Sequence, residues 1–133
     1  MPLVFGAAGV VIALIAREFA RGRPRTGLLA PAAWFVGAYA LTALVSEEHP
    51  YALAIALWLT GLVRVAREPE PARAAVFAAL LAIAGPLVEL AFSEAGLFSY
   101  AQDFGTVARW LTALYVHGAP LALSIGERLR ANT

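Results

Sequence analysis

Two ionisable residues lie where they are costly and where their types could do chemistry. Glu89 interrupts the apolar run Gly85-Pro86-Leu87-Val88-Glu89-Leu90-Ala91-Phe92, and His117 interrupts Leu114-Tyr115-Val116-His117-Gly118-Ala119-Pro120. A carboxylic acid and an imidazole are suited to proton transfer, and with Glu94 and Asp103 they could converge near one end of the two segments as an acid–base site. A structural reading competes. Polar atoms at depth need partners whatever they do, and Arg109, Trp110 or a backbone carbonyl would serve. Glu89 is also only about 6 Å, at the helical rise, from Ser93 at the end of its segment, so its side chain could lean toward that end. Metal or haem ligation is not indicated: there is no cysteine, and the two histidines, His49 and His117, fall on different segments without a second ligand at helical spacing. No nucleophile elbow, phosphate loop or nucleotide fingerprint is present, and no cofactor is expected.

The segments that must position these residues are apolar around their whole circumference, which a helix exposed to water cannot sustain. Of 133 residues, 61% are hydrophobic and 14% charged, and the mean hydropathy is +0.74. That is the composition of a membrane protein. The expected fold is all-α, a polytopic transmembrane helix bundle of five spans forming a single integral membrane domain over residues 1–133. The spans are expected at Met1–Ala16, extended to Phe19 and Ala20 if Arg17 snorkels, then at Thr26–Ser46, Tyr51–Ala66, Ala74–Ser93 and Thr106–Gly126. The first is short against the roughly 20 residues that cross the hydrocarbon, so a four-span reading stays open. It lacks the basic leader of a signal peptide. Glu68-Pro69-Glu70-Pro71 is expected to be loop, because two prolines at alternate positions cannot sit in a helix interior.

All ten basic residues are arginine, a bias suggestive of a GC-rich, bacterial genome, and they are sorted along the chain. Arg17, Arg21, Arg23 and Arg25 follow the first span; Arg64, Arg67 and Arg73 bracket the turn after the third; Arg128 and Arg130 follow the fifth. Only Arg109 falls on the other side. The positive-inside rule then places the N-terminus outside and the C-terminus in the cytoplasm, in a bacterial inner membrane or, in a eukaryote, the endoplasmic reticulum membrane. No basic patch for nucleic acid survives this sorting. Gly85, Glu89 and Ser93 recur every fourth residue, and Thr106, Trp110, Ala113, His117, Pro120 and Ser124 every third or fourth, so these small and polar faces should look inward. Pro86 and Pro120 each remove a backbone bond and can kink their helices, leaving space between them. Tyr100, Tyr115, Trp110 and Phe98 suggest an interfacial aromatic belt.

The run Gly96-Leu97-Phe98-Ser99-Tyr100, then Asp103-Phe104, Trp110-Leu111, Tyr115, Gly118 and Ser124-Ile125-Gly126 with Leu129, resembles the C-terminal part of the Insig (insulin-induced gene) family. Upstream, Trp34-Phe35-Val36-Gly37 and Leu59-Thr60-Gly61-Leu62 are more faintly similar to it. The chain departs from the family pattern at Gln102 and Thr112, where prolines would stand, and at Pro120 and Leu123 in the last helix. Arg67 stands in place of an aspartate that supports partner binding in the animal proteins. The resemblance implies a six-span relative whose first span is absent here, which agrees with an N-terminus outside. It also implies a non-enzymatic protein that binds a sterol or another hydroxyl-bearing lipid, such as diacylglycerol or an isoprenoid, in an inter-helix cavity. Phe35 is the aromatic that the resemblance places against the ligand. With it, Glu89, Trp110, His117 and Gly118 make up the expected lipid-binding set, the polar pair offering a hydrogen bond toward the outer side. Two other functions stay open: an integral membrane enzyme acting on an isoprenoid with Glu89 and His117 as acid and base, and an assembly subunit without a ligand. A homo-oligomer is compatible with each.

Overall fold

Long apolar runs without strand-like alternation, punctuated by proline and glycine, fold here into five helices. The computed structural model describes residues 2–22, 24, 26–45, 48–97 and 110–132, with the backbone alone for residues 2–7. The helices are α1 (Pro2–Phe19), α2 (Leu29–Val45), α3 (Pro50–Ala66), α4 (Pro71–Glu94) and α5 (Leu111–Ala131), and no strand occurs among the described residues. The turn beyond Leu97, with Phe98, Tyr100, Asp103, Thr106 and Arg109, lies outside them.

The helix ends follow local chemistry. Pro50 and Pro71 open α3 and α4, where a missing N–H costs nothing. Pro71 is thus a first-turn residue and not part of the loop that its spacing from Pro69 suggested. At the other end of α4, Gly96 takes φ +72°. Its N–H donates to the Ser93 carbonyl and that of Leu97 to the Phe92 carbonyl, both at 3.0 Å, which closes the helix in a Schellman turn that needs the left-handed conformation glycine tolerates. Neither Pro86 nor Pro120 breaks its helix.

α5 is the hub. It packs on each of the other four helices, which surround it in the order α1, α4, α3, α2, and α1 and α2 do not touch. Contacts near the helix ends fix the directions. Gly126 of α5 meets the backbone of Ala16 and Arg17, Thr26 just before α2 meets Glu127, and an Arg73 guanidinium N–H on α4 donates to the Arg21 carbonyl after α1. α3 adjoins α4 through a four-residue turn. Every described arginine therefore belongs to one end of the bundle.

Burial runs opposite to polarity. α5 carries His117, Pro120, Ser124 and Glu127, all buried, while large apolar side chains of the outer helices face out, including Leu29 at 84% exposure, Leu44 at 80% and Ile83 at 63%. Among the described residues one helix, α4, is long and apolar enough to cross a membrane, with 24 residues and a mean hydropathy of 2.2 over its best window. Only 17% of that window is buried, whereas the core helix of a water-soluble domain would be mostly enclosed. α2 and α3 are shorter apolar helices of 17 residues each.

Candidate functional site

Three polar clusters climb α5, and each is completed by a different neighbour. At the arginine-rich end, the Glu127 carboxylate accepts the Thr26 N–H at 2.8 Å and lies 3.2 Å from the Thr26 hydroxyl. Ser124 stands 3.0 Å from that hydroxyl and donates to the Pro120 carbonyl. Toward the opposite end, the Tyr115 hydroxyl donates to Glu89 at 2.6 Å. The Tyr115 ring lies so close over Gly85 that a Cβ there would be 2.4 Å from it.

The middle cluster is His117, 1% exposed. Its Nε2 is 2.9 Å from the Leu57 carbonyl and 3.2 Å from the Thr60 hydroxyl, and its Nδ1 is 3.0 Å from an Arg64 Nη1. A guanidinium only donates and a carbonyl only accepts, so these neighbours select the neutral tautomer with the proton on Nε2. Arg64 Nη1 also donates to the His117 carbonyl at 3.2 Å, and its guanidinium lies over the Trp34 ring, 5.5 Å from the centroid. Thr60 donates to the Ala56 carbonyl at 2.7 Å. With one lone pair facing His117, its oxygen keeps another lone pair, and the residue is exposed.

Beside His117 an open groove of about 450 Å³ runs between α2 and α3, walled by Trp34, Gly37, Ala38 and Leu41 on one side and Ala56, Leu57 and Thr60 on the other. It is apolar except at Thr60 and His117. A second apolar groove of about 730 Å³ lies between α1 and α4 and is bounded by Ile12, Phe77, Gly85, Phe92 and Tyr115. Both volumes fall in the range of small-molecule sites.

Of the residues the sequence selects, His117 lines the first groove. Phe35 and Gly118 meet each other, a Cβ on Gly118 falling 3.5 Å from the Phe35 ring, and neither lines the groove; they sit on the α2–α5 contact. Trp110 packs on the cluster that holds Ala38, Leu57 and Leu114. Glu89 does not lean to the segment end; it is 9% exposed and bound to Tyr115. Tyr115, read as part of an aromatic belt, is instead packed in the bundle. The space expected at Gly85 is taken by its ring. His117 is met by a side chain from the arginine-rich end and not from the outer side. Glu89 and His117 are served by different elements: Tyr115 and His117, two residues apart, project about 200° apart around α5. Sequence reading missed Arg64, Thr60, Tyr115, Thr26 and Glu127 as partners. The spacing of Gly61 and Arg64 three residues apart on a helix end, with Thr60 four before Arg64, is the one local sign that α3 presents a polar face. Among the described residues no group of three or more His, Cys, Asp or Glu could hold a metal ion.

Fold and site together define a helical bundle with a polar hub, an apolar exterior and open apolar grooves. No protein-family model matches the chain, and no curated protein and no solved structure matches it either.

Proposed function

We propose that the chain is an integral membrane protein whose five helices all lie in the bilayer, and that it holds a hydroxyl-bearing lipid in the groove between α2 and α3. The observation that carries this reading is the inverted distribution of polarity. In water the most apolar helices would be enclosed and the polar ones exposed, and contiguous apolar patches of this extent mark a membrane or partner surface. Here His117, Ser124 and Glu127 are enclosed while the outward faces of α2, α3 and α4 are nearly continuous aliphatic surface. At 17 residues, α2 and α3 measure about 26 Å at the helical rise, a few ångströms under a hydrocarbon core of about 30 Å, a mismatch that local thinning and flanking residues absorb. The gathering of arginine at one end supports that end as cytoplasmic.

Apolar grooves in a bilayer take up lipid, and orientation comes from few polar anchors. The remaining lone pair of Thr60 supplies one, with a lipid hydroxyl as donor. This reading keeps the class that the Insig resemblance suggests, a sterol, diacylglycerol or isoprenoid alcohol, while moving the polar anchor from the expected pair Glu89 and His117 to Thr60. Acid–base catalysis draws less support, since both ring nitrogens of His117 are engaged.

Gly37 gives the test. It lines the groove, and a Cβ built on it meets nothing within 4 Å, so Gly37→Leu should fill the groove without moving a helix. Mass spectrometry of lipid retained by the purified protein should show a bound lipid in the unmodified chain and its loss in Gly37→Leu, with Gly9→Leu, on another helix with equally open space, retaining it. Equal retention in all three would end the reading.

A further inference from the structure

Arg64 has more donors than the protein uses. Its Nη1 is spent on His117, and among the described residues no other hydrogen bond or ion pair of its side chain occurs. Glu68, four residues on, acts on its charge through space, with no ion pair between the two among the described residues. That leaves Nε and Nη2, the edge of the guanidinium that grips a phosphate or carboxylate through two parallel bonds. Neither atom is among the enclosed nitrogens without a partner, and the residue as a whole is half-buried.

Position distinguishes Arg64 from an ordinary flanking arginine. An arginine near the end of a membrane helix normally extends its head outward to water. Arg64 is instead drawn inward by His117 Nδ1 and the His117 carbonyl and laid over Trp34. Trp34 is itself a wall of the α2–α3 groove. The charge is thus fixed at the mouth of an apolar channel, in the last turn of α3 at the arginine-rich end, with its donor edge unused. From there the groove runs along α2 to Leu41, about 10 Å further at the helical rise.

We infer that Arg64 is a headgroup site for an anionic phospholipid of the leaflet at the arginine-rich end, its phosphate held by the Nε–Nη2 edge and one acyl chain lying in the α2–α3 groove. This rests on the groove being lipid-filled, and it names a second lipid class that the same groove would take in place of a hydroxyl-bearing one at Thr60. His117 acts as a positioning residue for the guanidinium and touches no lipid phosphate. Basic pockets between membrane helices at the cytoplasmic side are suited to anionic headgroups on general electrostatic grounds.

The test uses Trp34 as the reporter. The full chain is placed in nanodiscs of phosphatidylcholine containing either brominated phosphatidylglycerol or brominated phosphatidylcholine, and the quenching attributable to Trp34 is taken as the difference from Trp34→Phe. The unmodified chain should prefer phosphatidylglycerol about tenfold, or about 1.4 kcal/mol, because both lipids carry the phosphate but the choline cation offsets its charge beside Arg64 in phosphatidylcholine. Arg64→Gln should abolish the preference, Arg64→Lys should restore part of it, and Arg67→Gln, removing an exposed charge one turn away, should leave it in place. Circular dichroism establishes that each variant is folded. Equal quenching by the two lipids, or equal loss in Arg64→Gln and Arg67→Gln, overturns the headgroup site while leaving the lipid-filled groove standing. If neither brominated lipid quenches Trp34 and a water-soluble quencher does, the groove is not in lipid and both readings fall.

Discussion

Gly126→Ala puts a single methyl group where α5 crosses α1. A Cβ at Gly126 would stand 2.6 Å from the Ala16 carbonyl carbon, 2.7 Å from its oxygen and 2.7 Å from the Arg17 nitrogen. All three are backbone atoms, which cannot rotate aside, so the helices must separate. Overpacking of this kind costs about 1–3 kcal/mol, and a backbone obstacle belongs at the upper end. Against it stands the gain of about 0.5–1 kcal/mol from replacing glycine by alanine within a helix, leaving a net loss of about 2 kcal/mol. Two other glycines calibrate the estimate. At Gly118 the added Cβ makes ordinary contact with Phe35 at 3.5 Å, so Gly118→Ala should be stabilising by about 0.5–1 kcal/mol, the propensity gain alone. At Gly61 the neighbours are the Val116 side chain at 3.1 Å and the His117 ring at 3.3 Å, which can yield slightly, so the two effects should nearly cancel. Reversible unfolding of the protein in mixed micelles by titration with sodium dodecyl sulfate, followed by circular dichroism, should give the order Gly118→Ala, unmodified chain and Gly61→Ala together, then Gly126→Ala. A Gly126→Ala protein as stable as Gly118→Ala would refute the close crossing of α1 and α5.

Removing the Tyr115 hydroxyl deprives the buried Glu89 of a donor, so Tyr115→Phe should cost about 1–3 kcal/mol in the same titration. The double variant with Glu89→Leu should recover part of that loss, and strict additivity of the two single changes would argue against the bond. For the orientation of the bundle, single cysteines at Glu48 and Glu70 should react differently with an impermeant reagent on intact cells. Glu48 should label and Glu70 should not if the arginine-rich Glu70 end is cytoplasmic, as the positive-inside rule proposes; the reverse pattern would invert the topology.

Helix positions were legible because an apolar run reports itself without knowledge of its neighbours. The expected Tyr51–Ala66 and Ala74–Ser93 segments lie within one to three residues of the observed α3 and α4. The inward face of α5 was legible too: Ala113, His117, Pro120 and Ser124 are all buried, since small and polar residues at helical spacing have no reason to face hydrocarbon. Partner identity was not. His117 is 53 residues from Arg64, and Glu127 is 101 residues from Thr26. Nothing in one helix states which face of another will oppose it. Gly126 shows the same gap differently, for it read as the end of the last span and is instead where α5 touches α1, five residues before that helix ends.

The hub helix follows all four of its neighbours in the chain, which sets a timetable for assembly. If the five helices lie in the bilayer as proposed, α1 to α4 must each be tolerable in lipid before the element they share has emerged, and their apolar outward surfaces favour that. α5, carrying a histidine, a serine and a glutamate in its interior-facing turns, would enter bare hydrocarbon at a larger cost than α4, which carries Glu89 alone there. Arg64, Thr26 and Tyr115's partner Glu89 are by then already in place to receive it. The gap between α1 and α2, which do not touch, is the side from which a last helix could slide into the ring. On that proposal, a ribosome-bound chain arrested before Leu111 should hold four inserted helices whose mutual contacts alone do not complete the bundle until release.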